Sequence, residues 1–221
     1  MYHSSSPDQT VRAALLICIE ILHYLADRTL NPTMRVANRE DKSLVVRILT
    51  DAFLDNKSVN YLIPGDGRHK GRVRALMDYS FKVCFSAGKV LISDDESAVA
   101  LISFPENKKT TINGLLWEAA LVLNGIGFGN ISKAMNREKK IAENYPKLPI
   151  YYLWFLAVDK NRQGRGIGSR FLDEIKADAA AMNRPIYLET SSLRNLPFYE
   201  RAGLVEYAQL DFGYTLYLIA G

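Results

Sequence analysis

The feature that most restricts this chain is an apolar run that passes through a glycine-rich turn into an amphipathic helix. Residues 150–158 read IYYLWFLAV and carry no charge. An apolar run of this length bounded by turn residues reads as a buried strand. The turn DKNRQGRGIG follows, and SRFLDEIKADAAAM continues a helix over 164–182. Gly164, Gly166 and Gly168 lack the Cβ atoms that would keep a ligand off the backbone. The first helical turn leaves its N–H groups unpaired, and the helix dipole favours an anion there. Lys160, Arg162 and Arg165 add positive charge. The amides of Gln163, Gly164, Arg165, Gly166, Ile167, Gly168 and Ser169 therefore form a candidate phosphate seat.

Two familiar phosphate motifs fit poorly. A P-loop needs Gly-Lys-Ser/Thr after its glycines, and here Gly168 is followed by Ser169-Arg170. A dinucleotide fingerprint would use Gly164 and Gly166, with Glu189 at the ribose position. Its turn is tight, whereas five residues separate Val158 from Gly164, and only 32 residues follow Glu189.

The rest of the chain supports one domain with an appendage. Apolar residues make up 48% and charged residues 24% of 221. This excludes collagen-like, low-complexity and disordered classes. The length suits a domain over 34–221 and an N-terminal extension over 1–33. In the extension, Asp8 or Thr10 caps a helix to about Arg28, and Asn31-Pro32 stops it. Its longest uncharged apolar run has seven residues, Ala13 to Ile19, against about 20 for a membrane span. No membrane association is expected, because the polar face carries few Lys or Arg. No small-residue cleavage site follows. The extension reads as a helix packed on the domain or on a second copy, which leaves a homodimer open. The other reading starts the working protein at Met34.

The net charge of +4 is spread among acids with no basic run interleaved with aromatics. A nucleic-acid partner is not expected. Cys18 and Cys84 show no metal spacing and read as reduced core residues of a cytoplasmic protein. His3, His23 and His69 are scattered, so no metal site is expected. Beyond 1–33, strands are expected at 34–38, 90–93, 98–104, 150–158, 186–190, 204–210 and 213–219. Helices are expected at about 38–54, 71–87, 164–182 and 196–201, with a glycine-interrupted helical stretch over 112–145. Asp94, Asp95 and Glu96 form a hairpin turn. The order βααββααβαβαββ gives a mixed α/β sheet covered by helices. Leu116, Trp117, Leu121 and Val122 read as core or pocket wall. Lys108, Lys109, Arg137, Lys139 and Lys140 read as solvated.

Gln163-x-x-Gly166-x-Gly168 resembles the acyl-CoA motif of the GNAT N-acetyltransferase superfamily, which also places it between a strand and a helix. A second, distant run, LETSSLRNLPFYERAGL over 188–204, resembles the other half of that site. Over 150–205 the likeness is strongest to the puromycin N-acetyltransferases. Ser192 departs from the Asn that many members carry.

The resemblance implies the GNAT fold and transfer of an acetyl group from acetyl-CoA to the amine of a small molecule. It implies that Leu156, Ala157 and Val158 hydrogen-bond the pantetheine arm like an added strand. The turn amides would hold the pyrophosphate and Asn195 would bond the arm from the other side. It also implies direct attack by the amine, with Tyr199 as general acid and Glu189 as general base. An amine of pKa about 10.4 is neutral roughly once in 2,500 molecules at pH 7, a cost of about 4.6 kcal/mol that a base must offset. The region over 105–148, with glycines at 125, 127 and 129, would shape the acceptor site. A non-catalytic acyl-CoA-binding module and a peptide N-terminal acetyltransferase are the competing readings.

Overall fold

The computed structural model describes residues 34–107 and 109–221. The helix expected in 1–33 lies outside the described residues, as do Cys18, His3, His23 and Lys108.

Seven strands form one sheet in the order β1-β2-β3-β4-β5-β7-β6. They are β1 (Met34–Val36), β2 (Lys89–Ser93), β3 (Ala98–Ser103), β4 (Tyr151–Val158), β5 (Ile186–Thr190), β6 (Val205–Asp211) and β7 (Thr215–Ala220). Only β4 and β5 pair in parallel; the other neighbours are antiparallel. The helices are α1 (Lys42–Phe53), α2 (Lys57–Leu62), α3 (His69–Ala87), α4 (Ile112–Leu121), α5 (Ile131–Ala142), α6 (Ile167–Ala181) and α7 (Leu196–Arg201).

The expected architecture holds, with one added element. Helix α2 falls between the helices expected at 38–54 and 71–87, where the sequence reading assigns no element. Its six residues are too few to show a period. Asn56 starts it by accepting from the N–H groups of Ser58 and Val59 at 2.9 and 3.1 Å, a local N-cap. At α1, Asn38 accepts from the Glu40 N–H and Asp41 accepts from the Asn38 N–H, both at 2.7 Å. This reciprocal pair fixes where the first helix can begin.

Each face of the sheet has its own core. Val45, Leu49, Val73, Met77 and Cys84 of α1 and α3 pack on Val90, Ile92, Val99 and Leu101. Phe171, Leu172 and Ile175 of α6 pack on Leu91, Ala98, Ala100 and Ile102. The alternation of β2 and β3 residues between the two cores is that of strands buried on both faces. Cys84 is a free, fully buried thiol, and burial pushes its pKa up.

The long helical stretch after β3 is broken and shorter than expected. The axes of Ile112–Ile126 and Phe128–Ala142 meet at 102°, and α5 ends at Ala142 rather than 145. Leu116 is 61% exposed, so it is neither core nor pocket wall. Leu121 packs against the α1/α3 core, and Trp117 is half-buried. Among the described residues no single helix is long and apolar enough to cross a membrane.

At Gly88 the end of α3 meets β3 so closely that a Cβ would lie 2.0 Å from the Ile102 carbonyl oxygen. Backbone on both sides leaves little room to yield. Gly88→Ala should cost about 2 kcal/mol or more, and lower Tm by roughly 4 °C or more in a chain of this size. Paired thermal melts check this; an unchanged Tm would mean that the α3 terminus shifts freely.

Candidate active site

The site originates in β4. Leu101 faces Phe155 across the ladder and Ile102 faces Leu153, which leaves Trp154 as an extra residue. The burial pattern agrees. Tyr151 and Leu153 sit in the α6-side core, whereas Phe155 and Ala157 sit in the α1/α3-side core. Residues two apart share a face of a regular strand, so an inserted residue is required. Parallel pairing with β5 covers only Tyr151 opposite Ile186 and Tyr152 opposite Tyr187, and it stops before Trp154. Beyond that point β4 stays with β3 and leaves β5, so a wedge opens between them.

The wedge widens into a cleft of about 1020 Å³. Leu156, Ala157, Val158, Gln163, Gly164, Gly166, Ile167, Gly168, Ser169, Asn195 and Tyr199 all line it. Arg165 is exposed at the turn and is not part of the lining. The Asp159 N–H donates to the Ser97 carbonyl at 2.7 Å, toward β3. By alternation the N–H and C=O of Ala157 also point to β3, and those of Leu156 and Val158 point into the wedge. Ala157 thus lines the cleft without offering it a backbone group, unlike the sequence expectation. The Val158 carbonyl accepts from Gln163 Nε2 at 3.1 Å, so the glutamine side chain braces the turn against its own strand.

The turn presents free amides and basic side chains to the cleft. Gly164 and Gly166 both have φ of 75°, and no protein atom lies near where a Cβ would stand. Backbone conformation, with open space toward the cleft, selects glycine there. The first α6 bond runs from the Arg170 N–H to the Gly166 carbonyl at 3.1 Å. Among the described residues, no acceptor is within hydrogen-bond reach of the amides from Gly164 to Ser169. Lys57, Lys160, Arg162 and Arg194 also line the cleft, against one carboxylate, Asp55. Asp159 anchors the turn by accepting from the Asn161 N–H and pairing with Arg47 of α1, both at 3.0 Å. Arg47 and the Asn161 N–H hold its carboxyl below the usual range.

Deeper in the wedge lies an inner cavity of about 110 Å³, lined by both Tyr199 and Glu189. Tyr199 and Asn195 line the cleft as well, so they stand where the two spaces meet. Tyr199 is 8% exposed, and burial raises its phenol pKa. Its hydroxyl has no hydrogen-bond partner among the described residues. Asn195 Nδ2 donates to Thr190 Oγ1 at 3.2 Å. Glu189 accepts from the hydroxyls of Tyr145 and of Tyr152, the latter at 2.9 Å. Burial pushes its pKa from 4.5 up to about 8; Arg137 opposes that rise and Glu138 adds to it.

Several residues of the cavity escaped the sequence reading. Arg137 is buried, not solvated. It donates to Glu138 at 2.5 Å, to Ser58 at 2.6 Å and to Tyr214 at 3.3 Å. These bonds tie α5 to α2 and to the β6–β7 hairpin. Lys139 and Lys140 stay exposed, as expected. Asn56, the cap of α2, and Ser191 meet at 3.4 Å and close one side of both spaces. Only the Asn-Lys-Ser-Val run, a cap signature, could have signalled this.

Residues 116–206 match the family model described as Acetyltransferase (GNAT) domain. Over that stretch the chain is similar to GNAT acetyltransferases, and the matches support an acyl-CoA-dependent acetyltransferase. An uncharacterized N-acetyltransferase of Schizosaccharomyces pombe is 26% identical over 176 residues, covering 75% of this chain and 71% of that one. The fold is shared with a solved histone acetyltransferase HPA2 and related acetyltransferase from Corynebacterium glutamicum. The TM-score is 0.67 at 24% identity, over 86% of this chain and 94% of that one. It is shared also with arylalkylamine N-acetyltransferase 2 from Aedes aegypti, with TM-score 0.56 at 15% identity, over 85% and 97% of the two chains.

The raised pKa of Glu189 has a consequence for stability. A carboxyl that ionises at 4.5 when unfolded and at about 8 when folded favours the fold while protonated. That contribution is fully present below about 4.5 and is lost as pH rises toward 8. Glu189→Gln keeps the shape without the charge. Its stability relative to wild type, read from paired unfolding curves, should therefore rise between pH 4.5 and pH 8.5, by roughly a few kcal/mol at most. A constant difference across that range would place the carboxyl in water.

Proposed function

We propose that this GNAT domain moves an acetyl group from acetyl-CoA to the amine of a small molecule by direct attack. One observation carries the reading. The wedge opened by Trp154 runs from a turn of unpaired amides, through Leu156 and Val158, to a cavity containing both Tyr199 and Glu189. The turn from Gly164 to Ser169 would seat the pyrophosphate, with Lys160 and Arg162 as counter-charges. The backbone groups of Leu156 and the N–H of Val158 would extend the sheet onto the pantetheine arm, and Asn195 would meet the arm from the opposite wall.

The chemistry falls to two side chains. Glu189 takes a proton from the incoming ammonium, through a water as the resemblance implies, and frees the nitrogen lone pair. The nitrogen bonds to the thioester carbon and the carbon–sulfur bond breaks. Tyr199 gives its hydroxyl proton to the departing thiolate, and the second proton shed by the nitrogen as it becomes the amide restores the phenol. Its raised pKa keeps that proton in place until the sulfur carries charge. A pKa near 8 suits Glu189 as a base, because it holds the proton more firmly than an exposed carboxylate. The Tyr145 and Tyr152 hydroxyls keep it oriented, while Arg137 and Glu138 set the charge around it.

The pH dependence has a definite sign. Below about 8 Glu189 is mostly protonated, so log kcat/KM should rise by about one per pH unit and turn near 8. Glu189→Gln should lower kcat/KM by about 10²- to 10⁴-fold and remove the turn. If the turn persists in the variant, another group is the base. Tyr199→Phe should lower kcat by a comparable factor with KM for acetyl-CoA little changed; an unchanged kcat would remove Tyr199 from the mechanism. Calorimetry with coenzyme A tests the nucleotide site. Gly166→Val, strained at φ of 75°, should weaken binding at least tenfold. Tight binding without turnover on any amine would favour an acyl-CoA sensor.

A further inference from the structure

A second large space adjoins the inner cavity on the side away from the nucleotide turn. It measures about 830 Å³ and lies between α3, the end of β3, α4, α5 and β4. That volume falls within the range that holds a drug-sized ligand. Trp154 and Glu138 line both this space and the inner cavity, so one layer of side chains separates them. Tyr145 and Tyr152, which hold Glu189 from behind, also line it. A molecule seated here would lie one side-chain layer from the inner cavity that Glu189 and Tyr199 line.

The walls define what could sit there. Tyr79, Trp117, Tyr152 and Trp154 present aromatic surface from three different elements, and the lining is more apolar than polar. Tyr152 and Trp154 stack along β4 with centroids 6.4 Å apart. Three carboxylates, Glu106, Glu118 and Glu138, accompany one lysine, Lys109. Glu106 is engaged by Arg184 and Glu138 by Arg137. Glu118 has no ion-pair partner among the described residues. Glu118 and Glu138 together add to the burial that pushes the Tyr79 phenol up to about 12. Glu118 is therefore the carboxylate of this lining left open to a cation, in contrast to the cleft, where Lys57, Lys160, Arg162 and Arg194 gather.

We propose that the acceptor is a primary ammonium carried on an apolar, ring-bearing body, selected by the cavity of Tyr79, Trp117 and Trp154. The inference rests on the acetyl-transfer reading and narrows it. Aromatic faces hold a ring by stacking and a cation by its charge, while the carboxylates draw the ammonium inward. A polyhydroxylated amine would lose water along these walls without equivalent hydrogen bonds, which penalises it.

The test is a panel of amines assayed by thiol release from acetyl-CoA: 2-phenylethylamine, glucosamine, spermidine and a short peptide with a free N-terminus. The expected result is a kcat/KM for 2-phenylethylamine at least tenfold above the other three. Trp117→Ala should cut the ratio of 2-phenylethylamine to glucosamine at least tenfold, mainly through KM, and Trp117→Phe should restore most of it. Glu118→Gln should raise KM for 2-phenylethylamine about two- to fivefold, the scale of an exposed charge interaction. Thermal melts of each variant establish that it is folded. Preference for glucosamine, spermidine or the peptide, or equal loss on all amines in Trp117→Ala, would overturn this inference and leave acetyl transfer standing. Coenzyme A binding with no turnover on any amine would overturn both.

Discussion

A single extra residue in β4 organises the molecule. A regular parallel pair would satisfy its backbone groups along its full length and leave no room for a ligand. The bulge at Trp154 shifts the side-chain parity of β4, so that Phe155 and Ala157 change faces relative to Leu153. It also ends pairing with β5 after Tyr152. Buried backbone donors and acceptors are rarely left alone, so an open strand edge inside a protein is a binding surface. Here the edge is short: Leu156 and Val158 face the wedge, and Gln163 uses the Val158 carbonyl. Trp154 both causes the opening and walls the space where an acceptor would sit.

The same strand delivers the chain to the proposed phosphate seat. Asp159 ends β4 with its amide bonded to β3 and its carboxylate bonded to α1 and to the turn. Two left-handed glycines then reverse the chain into α6 with the first amides of that helix facing the cleft. Gly168 differs from them. Its added Cβ would stand in ordinary contact with Val158, at 3.4 Å, and near Phe198. Backbone conformation thus requires glycine at 164 and 166 but not at 168.

What could be read from the sequence follows from distance along the chain. The strand, turn and helix of 150–182 are contiguous, and their apolar run, glycines and helical period are local signals. The run from Leu188 to Leu204 is also contiguous, so a family resemblance could nominate Glu189, Asn195 and Tyr199, and the structure brings all three to the inner cavity. Arg137 was misread because its burial depends on Ser58 and Tyr214, 79 and 77 residues away. A basic residue two places before Lys139-Lys140 carries no sign of such partners. Tyr145 and Tyr152 were likewise invisible as partners of Glu189, from which they are separated by 44 and 37 residues. The alternation that removes Ala157 from the wedge depends on register with β3, and one sequence cannot specify register to a single residue.

Charge placement explains how one wedge could serve two unlike substrates. The nucleotide side gathers basic side chains and unpaired amides at the surface, where an anion keeps much of its hydration. The inner cavity takes the opposite course: Glu189 is enclosed, and two tyrosine hydroxyls orient it. A buried carboxyl that strongly prefers its proton is costly for a fold at neutral pH. Arg137 lies close enough to lower that cost but bonds Glu138, Ser58 and Tyr214 instead of Glu189. A direct ion pair would have pulled the Glu189 pKa far down and left it a weak base. The commitment of Arg137 to Glu138, Ser58 and Tyr214 rather than to Glu189 is thus what would keep the proposed proton acceptor strong enough to serve where β4 and β5 part.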